Sequence, residues 1–402
     1  MRECEGGVCA AAGFQAGAVL SGIKKGREKE DVAVIVSDCL CAAAGVYTTN
    51  RVKAAPVLFT RTALKGGAAR AIIANSGNAN ACAPDGMENA VREAKAAAAV
   101  LRISAEQVLV ASTGVIGQRL PVECIETALP GITLSYDGSG AAARAIMTPD
   151  TKEKTAAVQF TAGGKTCRLG GICKGSGMIH PNMGTMLAFI TTDCAIAQPL
   201  LSKALKKTVK RTFNRVTVDG DTSTNDMGLV LANGMAGNTE IAEENEDYES
   251  FLQALHFGME TLAKKIAADG EGAERLMTCT VSGARDEDTA EALARAVCGS
   301  SLVKAAMFGG DANWGRVLCA MGYSGAEFDA EEVEVEFSSS EGTVLVCRDG
   351  KGVDFSEELA AKILKEDSVE ILVTLKEGAG TASCWGCDLT YEYVKINGEY
   401  RT

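Results

Sequence analysis

The sequence predicts a mixed α/β fold with a smaller C-terminal subdomain, and three observations lead there. Apolar runs of strand length at 31–36, 71–74 and 107–111 are interleaved with longer stretches of helical periodicity such as 87–101 and 246–267. From Val333 the style changes to short alternating strands, with 333–337 and 343–347 reading as a hairpin. No repeat, low-complexity tract or long polar linker divides the 402 residues, so the subdomain boundary is expected within 280–330.

Taken in order, 31–36 is strand-like, and 71–74 is an apolar run ending in the turn-rich Asn75-Ser76-Gly77-Asn78. The Ala-rich stretch 87–101 reads as a helix. Residues 107–111 are a strand closed by Ser112-Thr113-Gly114, 140–147 a short helix, and 156–160 with 166–172 a hairpin around Ala162-Gly163-Gly164-Lys165. After Thr185, 186–191 is apolar and β-prone. A basic amphipathic helix follows at 199–213, with proline in its first turn. Then come a long helix at 246–267, a strand at 276–281 and a helix at 288–297. Beyond the hairpin lie a helix at 357–364 and strands at 369–375 and 388–396.

Composition narrows the function. A net charge of −12 repels phosphate backbones and anionic membranes, so neither nucleic acid nor membrane is an expected partner. No window reaches eighteen uninterrupted apolar residues, and Met1-Arg2-Glu3-Cys4-Glu5 lacks the layout of an export signal. Fifteen cysteines at no regular spacing read as small buried hydrophobes in a reducing compartment, and a cytoplasmic location is expected. Only two histidines exist, His180 and His256, and the second sits in a helical stretch as a packed or surface residue. A hydrolase or transferase built on this chain is expected to use a base other than histidine.

Several motifs imitate function. Cys384-Trp385-Gly386-Cys387 precedes a predicted strand, whereas a reactive C-x-x-C opens a helix. Gly164-Lys165-Thr166 lacks the earlier glycine of a phosphate loop, and Gly138-Ser139-Gly140 follows no apolar strand. The segment from Asp219 to Asp226 has calcium-loop chemistry without glycine at its sixth position, and a polar turn lining an active site fits it better.

The informative stretch is Lys174-Gly175-Ser176-Gly177-Met178-Ile179-His180-Pro181-Asn182-Met183-Gly184-Thr185-Met186-Leu187. Gly184 leaves its carbonyl open to attack, and the Thr185 hydroxyl could attack it, shift the chain from nitrogen to oxygen, and release an N-terminal threonine. A free α-amine has a pKa of about 7.7–8.0, so it can take the hydroxyl proton without a histidine. On spacing alone the plainer reading is a turn leading into a buried strand.

At length, 174–193 resembles the signature of the ornithine acetyltransferases, the bifunctional glutamate N-acetyltransferase (ArgJ) family of arginine biosynthesis. Further segments resemble that family in order: Thr48-Thr49-Asn50-Arg51-Val52-Lys53-Ala54-Ala55-Pro56, Asn75-Ser76-Gly77-Asn78-Ala79-Asn80-Ala81-Cys82, Val218-Asp219-Gly220-Asp221-Thr222-Ser223-Thr224-Asn225-Asp226, Asp311-Ala312-Asn313-Trp314-Gly315-Arg316 and Trp385-Gly386-Cys387-Asp388-Leu389. The resemblance implies a sandwich-like α/β fold of the ornithine acetyltransferase/DmpA type. It implies a cut between Gly184 and Thr185 into chains 1–184 and 185–402, which stay associated as an α2β2 heterotetramer.

Residue by residue, it implies Thr185 as the acetylated nucleophile and Thr113 with Gly114 as the oxyanion-hole pair. Without the resemblance, Thr113-Gly114 would be an ordinary strand-ending turn. Thr151, Lys174, Thr185, Glu271, Asn397 and Thr402 are implied as substrate-binding. The implied substrates are N2-acetyl-L-ornithine and L-glutamate; no metal or redox cofactor is implied, and acetyl-CoA as a second donor stays open. An N-terminal-threonine amidohydrolase or aminopeptidase using water is the alternative. Gly184 and Cys384 stand where the family commonly has alanine, and the segment from Gly6 to Phe14 departs from its usual opening.

Overall fold

The protein is described from a computed structural model covering residues 1–24, 26, 28–180 and 186–399. The larger sheet contains β1 (Arg2–Glu3), β2 (Phe14–Val19), β3 (Val32–Tyr47), β4 (Ala68–Asn78), β5 (Val108–Val115), β6 (Lys154–Ala162), β7 (Lys165–Lys174), β8 (Leu187–Thr192) and β9 (Met227–Ala232). Their order is β1-β6-β7-β8-β9-β3-β4-β5, with β2 also on β3. The β8–β9 and β4–β5 pairs are parallel and the others antiparallel.

Helices cover both faces of this sheet. The buried side chains of α1 (Ala55–Ala63) and α4 (Ser139–Ala145) join one cluster, and α2 (Gly86–Leu101) with α3 (Val122–Ala128) pack over β4 and β5 in another. A third cluster lies under α5 (Gln198–Arg211) and α6 (Glu246–Ala268). Strand alternation divides the core: Leu187 and Phe189 of β8 enter one cluster, Ala188 and Ile190 the other. Coverage on both sides explains why 186–191 reads as an apolar, β-prone run.

The second sheet holds β10 (Leu276–Ala284), β11 (Glu334–Ser339), β12 (Gly342–Arg348), β13 (Lys351–Gly352), β14 (Ser368–Thr374) and β15 (Gly380–Cys387), ordered β13-β12-β11-β14-β10-β15. It carries its own core with α7 (Glu287–Gly299), α8 (Ser301–Gly309), α9 (Trp314–Gly322) and α10 (Glu357–Ile363). It joins the larger body where Thr217 N–H donates to the Trp385 carbonyl at 2.9 Å. The mixed α/β class is therefore as predicted. No helix among the described residues is long and apolar enough to cross a membrane.

Three local predictions fail. The strand expected at 388–396 is instead helix α11 (Tyr391–Glu399). Asp388 takes the backbone N–H groups of Glu274 and Arg275 at 2.9 and 3.1 Å, which turns the chain away from β15. On this helix Tyr391 is 83 % and Val394 69 % exposed, while Tyr393, and Leu389 just before the helix, are partly covered. The C-x-x-C lies within β15 itself, where burial pushes the Cys384 thiol up to about 12 and the Cys387 thiol upward as well. The turns expected at 75–78 and 112–114 are strand, because β4 and β5 remain paired through Asn78 and Val115.

Candidate active site

Strand register brings the ends of four strands into one row: Lys174 pairs with Leu187, Leu187 with Met227, and Met227 with Tyr47. The residues just before β9 reach across to the β4–β5 end. Asn225 donates from Nδ2 to the carbonyls of Ala79 at 2.6 Å and Ser112 at 2.8 Å. That clamp sets Thr113, the next residue of β5, beside the end of β7. Lys174 Nζ donates to Thr113 Oγ1 at 3.3 Å. Thr113, Lys174, Met186, Asn225 and Asp226 line one small, partly open cavity.

Gly114 is the residue this crossing requires. Its φ is +133°, and a Cβ there would stand 2.3 Å from the Gly77 carbonyl carbon on β4. Only a residue without a side chain lets the two strands approach so closely.

Behind the cavity runs a buried ion network. Asp150 Oδ2 lies 3.9 Å from Lys174 Nζ, and Asp150 Oδ1 accepts from Lys154 Nζ at 2.7 Å and from Gly175 N–H at 2.6 Å. Lys154 Nζ also reaches Asp269 Oδ2 at 2.5 Å. Burial raises the Asp150 carboxyl, but the charges of Lys174 and Lys154 outweigh it and the net shift is downward. Burial likewise lowers the Lys154 ammonium, and Asp150 and Asp269 more than offset it. Asp226 differs: burial holds its carboxyl well above the usual range, only partly opposed by Lys174. Its Oδ2 has no hydrogen-bond partner among the described residues.

Of the residues singled out in the sequence, Thr113, Gly114 and Lys174 meet here. Glu271 and Asn397 pair with each other, Asn397 Nδ2 donating to Glu271 Oε2 at 2.7 Å. The Glu271 carboxylate lies against Gly177, whose Cβ position would be 2.3 Å from Oε1, and Gly177 lines the cavity. Burial raises the Glu271 carboxyl, while Asn397 draws it back. Thr151 does not point its hydroxyl at the cavity, since both its N–H and Oγ1 donate to the Asp269 carboxylate. Gly184, Thr185 and Thr402 lie outside the described residues.

His180 Nδ1 sits 3.0 Å from Thr217 Oγ1, and burial lowers its pKa. His256 pairs with Glu260 on α6 at 3.0 Å. The 219–226 segment is no metal loop: Asp219 spends its oxygens on the N–H groups of Met178, Ile179 and Asp221. Among the described residues no group of three His, Cys, Asp or Glu is placed to hold a metal ion.

Sequence reasoning assigned no role to Asp150, Lys154, Asp269, Asn225 or Asp226. The last two stand in a segment already marked as a polar turn beside an active site. No local pattern marks the first three, because their partners lie on distant segments or in an ordinary i, i+4 spacing.

The family model described as the ArgJ family matches residues 15–402. A Symbiobacterium thermophilum protein named arginine biosynthesis bifunctional protein ArgJ is 52 % identical over 406 aligned positions, covering 100 % of both chains. A Caldanaerobacter subterraneus protein of the same name is 50 % identical over 97 % of each. A crystal structure of the Bacillus halodurans protein of that name, at 46 % identity and TM-score 0.50, is covered over 98 % of its own chain by 53 % of this one. With the family model spanning nearly all of the sequence and relatives half identical from end to end, the chain belongs to the ArgJ family.

Proposed function

We propose that this chain is an acetyltransferase of arginine biosynthesis that cuts itself between Gly184 and Thr185 and then uses Thr185 as its nucleophile. The observation that carries the reading is the convergence of Thr113 and Lys174, hydrogen-bonded to each other, on a small cavity also lined by Met186, the residue after Thr185. The names of the relatives support the pathway. The half-length Bacillus halodurans chain supports the cut: it matches 53 % of this sequence, and 185–402 is 218 of 402 residues, or 54 %.

In the forward reaction the α-amine of Thr185 takes the proton from its own hydroxyl as the oxygen bonds to the acetyl carbon of N2-acetyl-L-ornithine. The tetrahedral anion is held by the Thr113 hydroxyl and the Gly114 N–H. The carbon–nitrogen bond then breaks, the proton passes to the leaving nitrogen, and L-ornithine departs. The α-amine of L-glutamate attacks the acetyl-threonine ester, reverses these steps and leaves as N-acetylglutamate. Lys174 and Glu271 supply the opposite charges that two zwitterionic substrates need, with Asn397 and Thr402 completing the set and Thr151 acting through the Asp269 carboxylate to which it donates. Acetyl-CoA serves as a second donor in this reading, in keeping with the relatives being named bifunctional. No metal takes part, the two products form an α2β2 heterotetramer, and the enzyme works in the cytoplasm.

The test is intact mass together with an acetyl-transfer assay. Wild-type protein should appear as two chains and release ornithine faster when glutamate is added. Thr185→Ala should remain one chain and transfer nothing. Ornithine release indifferent to glutamate would mark a hydrolase instead, and an uncut yet fully active wild type would end the proposal.

A further inference from the structure

Lys174 and Thr113 stand 61 residues apart and meet through a single hydrogen bond of 3.3 Å. Its direction is forced. An ammonium carries three donors and no acceptor, so Thr113 Oγ1 must accept. The hydroxyl then keeps its own proton for another partner and can direct it only away from Nζ. Both residues are buried, Thr113 at 9 % and Lys174 at 7 % exposure, so bulk water competes little for either group. The space left to that proton is the cavity shared with Met186, Asn225 and Asp226.

Lys174 is itself held in place. Asp150 stands behind it at 3.9 Å and cannot swing away, because Lys154 Nζ and the Gly175 N–H occupy its Oδ1. Gly175 directly follows Lys174, so the same carboxylate fixes both the end of β7 and the side chain that projects from it.

We infer that Lys174 is a positioning residue of the oxyanion hole: by donating to Thr113 Oγ1 it aims the Thr113 proton into the cavity and sets a positive charge behind it. This rests on the function proposed above and goes beyond it, since there Lys174 serves only to hold substrate. One N–H is committed to Thr113, and another remains for a substrate carboxylate. No proton changes hands in this step; the Thr113 O–H and the Lys174 N–H bonds both stay intact. As negative charge grows on the reacting oxygen, the chain of hydrogen bonds from ammonium to hydroxyl to oxyanion polarises and strengthens, so the effect appears in the transition state.

A double-mutant cycle tests this. Wild type, Thr113→Val, Lys174→Met and the double variant are assayed for kcat and KM with N2-acetyl-L-ornithine and glutamate, and for the rate of self-cleavage by intact mass. Thr113→Val should lower kcat by about 10²–10³-fold, the usual cost of one oxyanion donor. Lys174→Met should lower kcat by about tenfold or more in the wild-type background, but by less than about twofold when Thr113 is already valine. The accompanying rise in KM should persist in both backgrounds, since it reports the substrate carboxylate. Thr113→Ser, which keeps the hydroxyl, should keep the kcat effect of Lys174→Met.

Equal kcat losses from Lys174→Met in the two backgrounds would overturn the inference, as would a change in KM alone. If Lys174→Met does not fold, Lys174→Gln carries the same cycle with the same deciding comparison. Self-cleavage passes through a tetrahedral anion too, so its rates form a second cycle for variants too slow to assay. A wild-type chain that neither cuts nor transfers acetyl would sink the proposed function; a working wild type with multiplicative losses sinks only this role for Lys174.

Discussion

Gly114→Ala offers a test whose size follows from the close approach of β4 and β5. The added Cβ would sit 2.3 Å from the Gly77 carbonyl carbon and 2.5 Å from the Asn78 nitrogen, both of them backbone atoms of β4. Ordinary contact begins near 3.4 Å, so β4 and β5 must part by about 1 Å at the point where they position Thr113. An L-residue at φ +133° carries about 1–3 kcal/mol of backbone strain in addition. A displacement of about 1 Å in a catalytic group typically costs about 10²-fold in rate, so kcat should fall by about that factor while the protein still folds. The control is Gly117→Ala. Its φ of +79° is also positive, but no atom lies within 4 Å of the new Cβ, so stability should drop slightly and activity persist. Steady-state acetyl transfer by both variants decides the matter. Gly114→Ala with kcat within a few-fold of wild type would refute the placement of the oxyanion hole at this strand crossing.

Two further predictions concern stability. Lys154→Met should destabilise the fold by about 3–5 kcal/mol, because Asp150 and Asp269 lose the buried cation between them; the midpoint of urea unfolding measures it, and an unchanged midpoint would contradict the network. Glu93, fully buried on α2 with neither oxygen partnered among the described residues, has its carboxyl held well above the usual range by burial. The native state thus binds this proton more tightly than the unfolded chain. The associated stability is complete below the unfolded pKa of about 4.3 and declines as pH rises toward the folded value. Glu93→Gln should flatten that decline and leave the protein more stable than wild type at neutral pH; parallel urea midpoints for the two proteins from pH 4 to 8 would count against it.

What the sequence determined by itself was whatever depends on near neighbours. Alanine enrichment and period made 87–101 a helix, alternation made 333–337 and 343–347 a hairpin, and the ordered family segments identified the chain's relatives. Where a local pattern has two readings, the sequence alone misled. The spacing of Leu389, Tyr391 and Tyr393 suits a strand, but a strand needs a partner, and Asp388 steers the chain away from the one on offer. Similarly, the glycines at 77 and 114 signal a turn until a parallel neighbour supplies hydrogen bonds and turns them into points of close strand contact.

Only the tertiary structure decided which chemically capable residues act together. Thr113, Lys174 and Asn225 come from three separate segments, and no periodicity relates them; sheet register and the Asn225 clamp place them around one cavity. Burial made the same selection among charges. In sequence Asp150, Lys154 and Asp269 look like any surface residues, and their loss of water, set entirely by long-range packing, is what makes their interactions strong and their pairing obligatory.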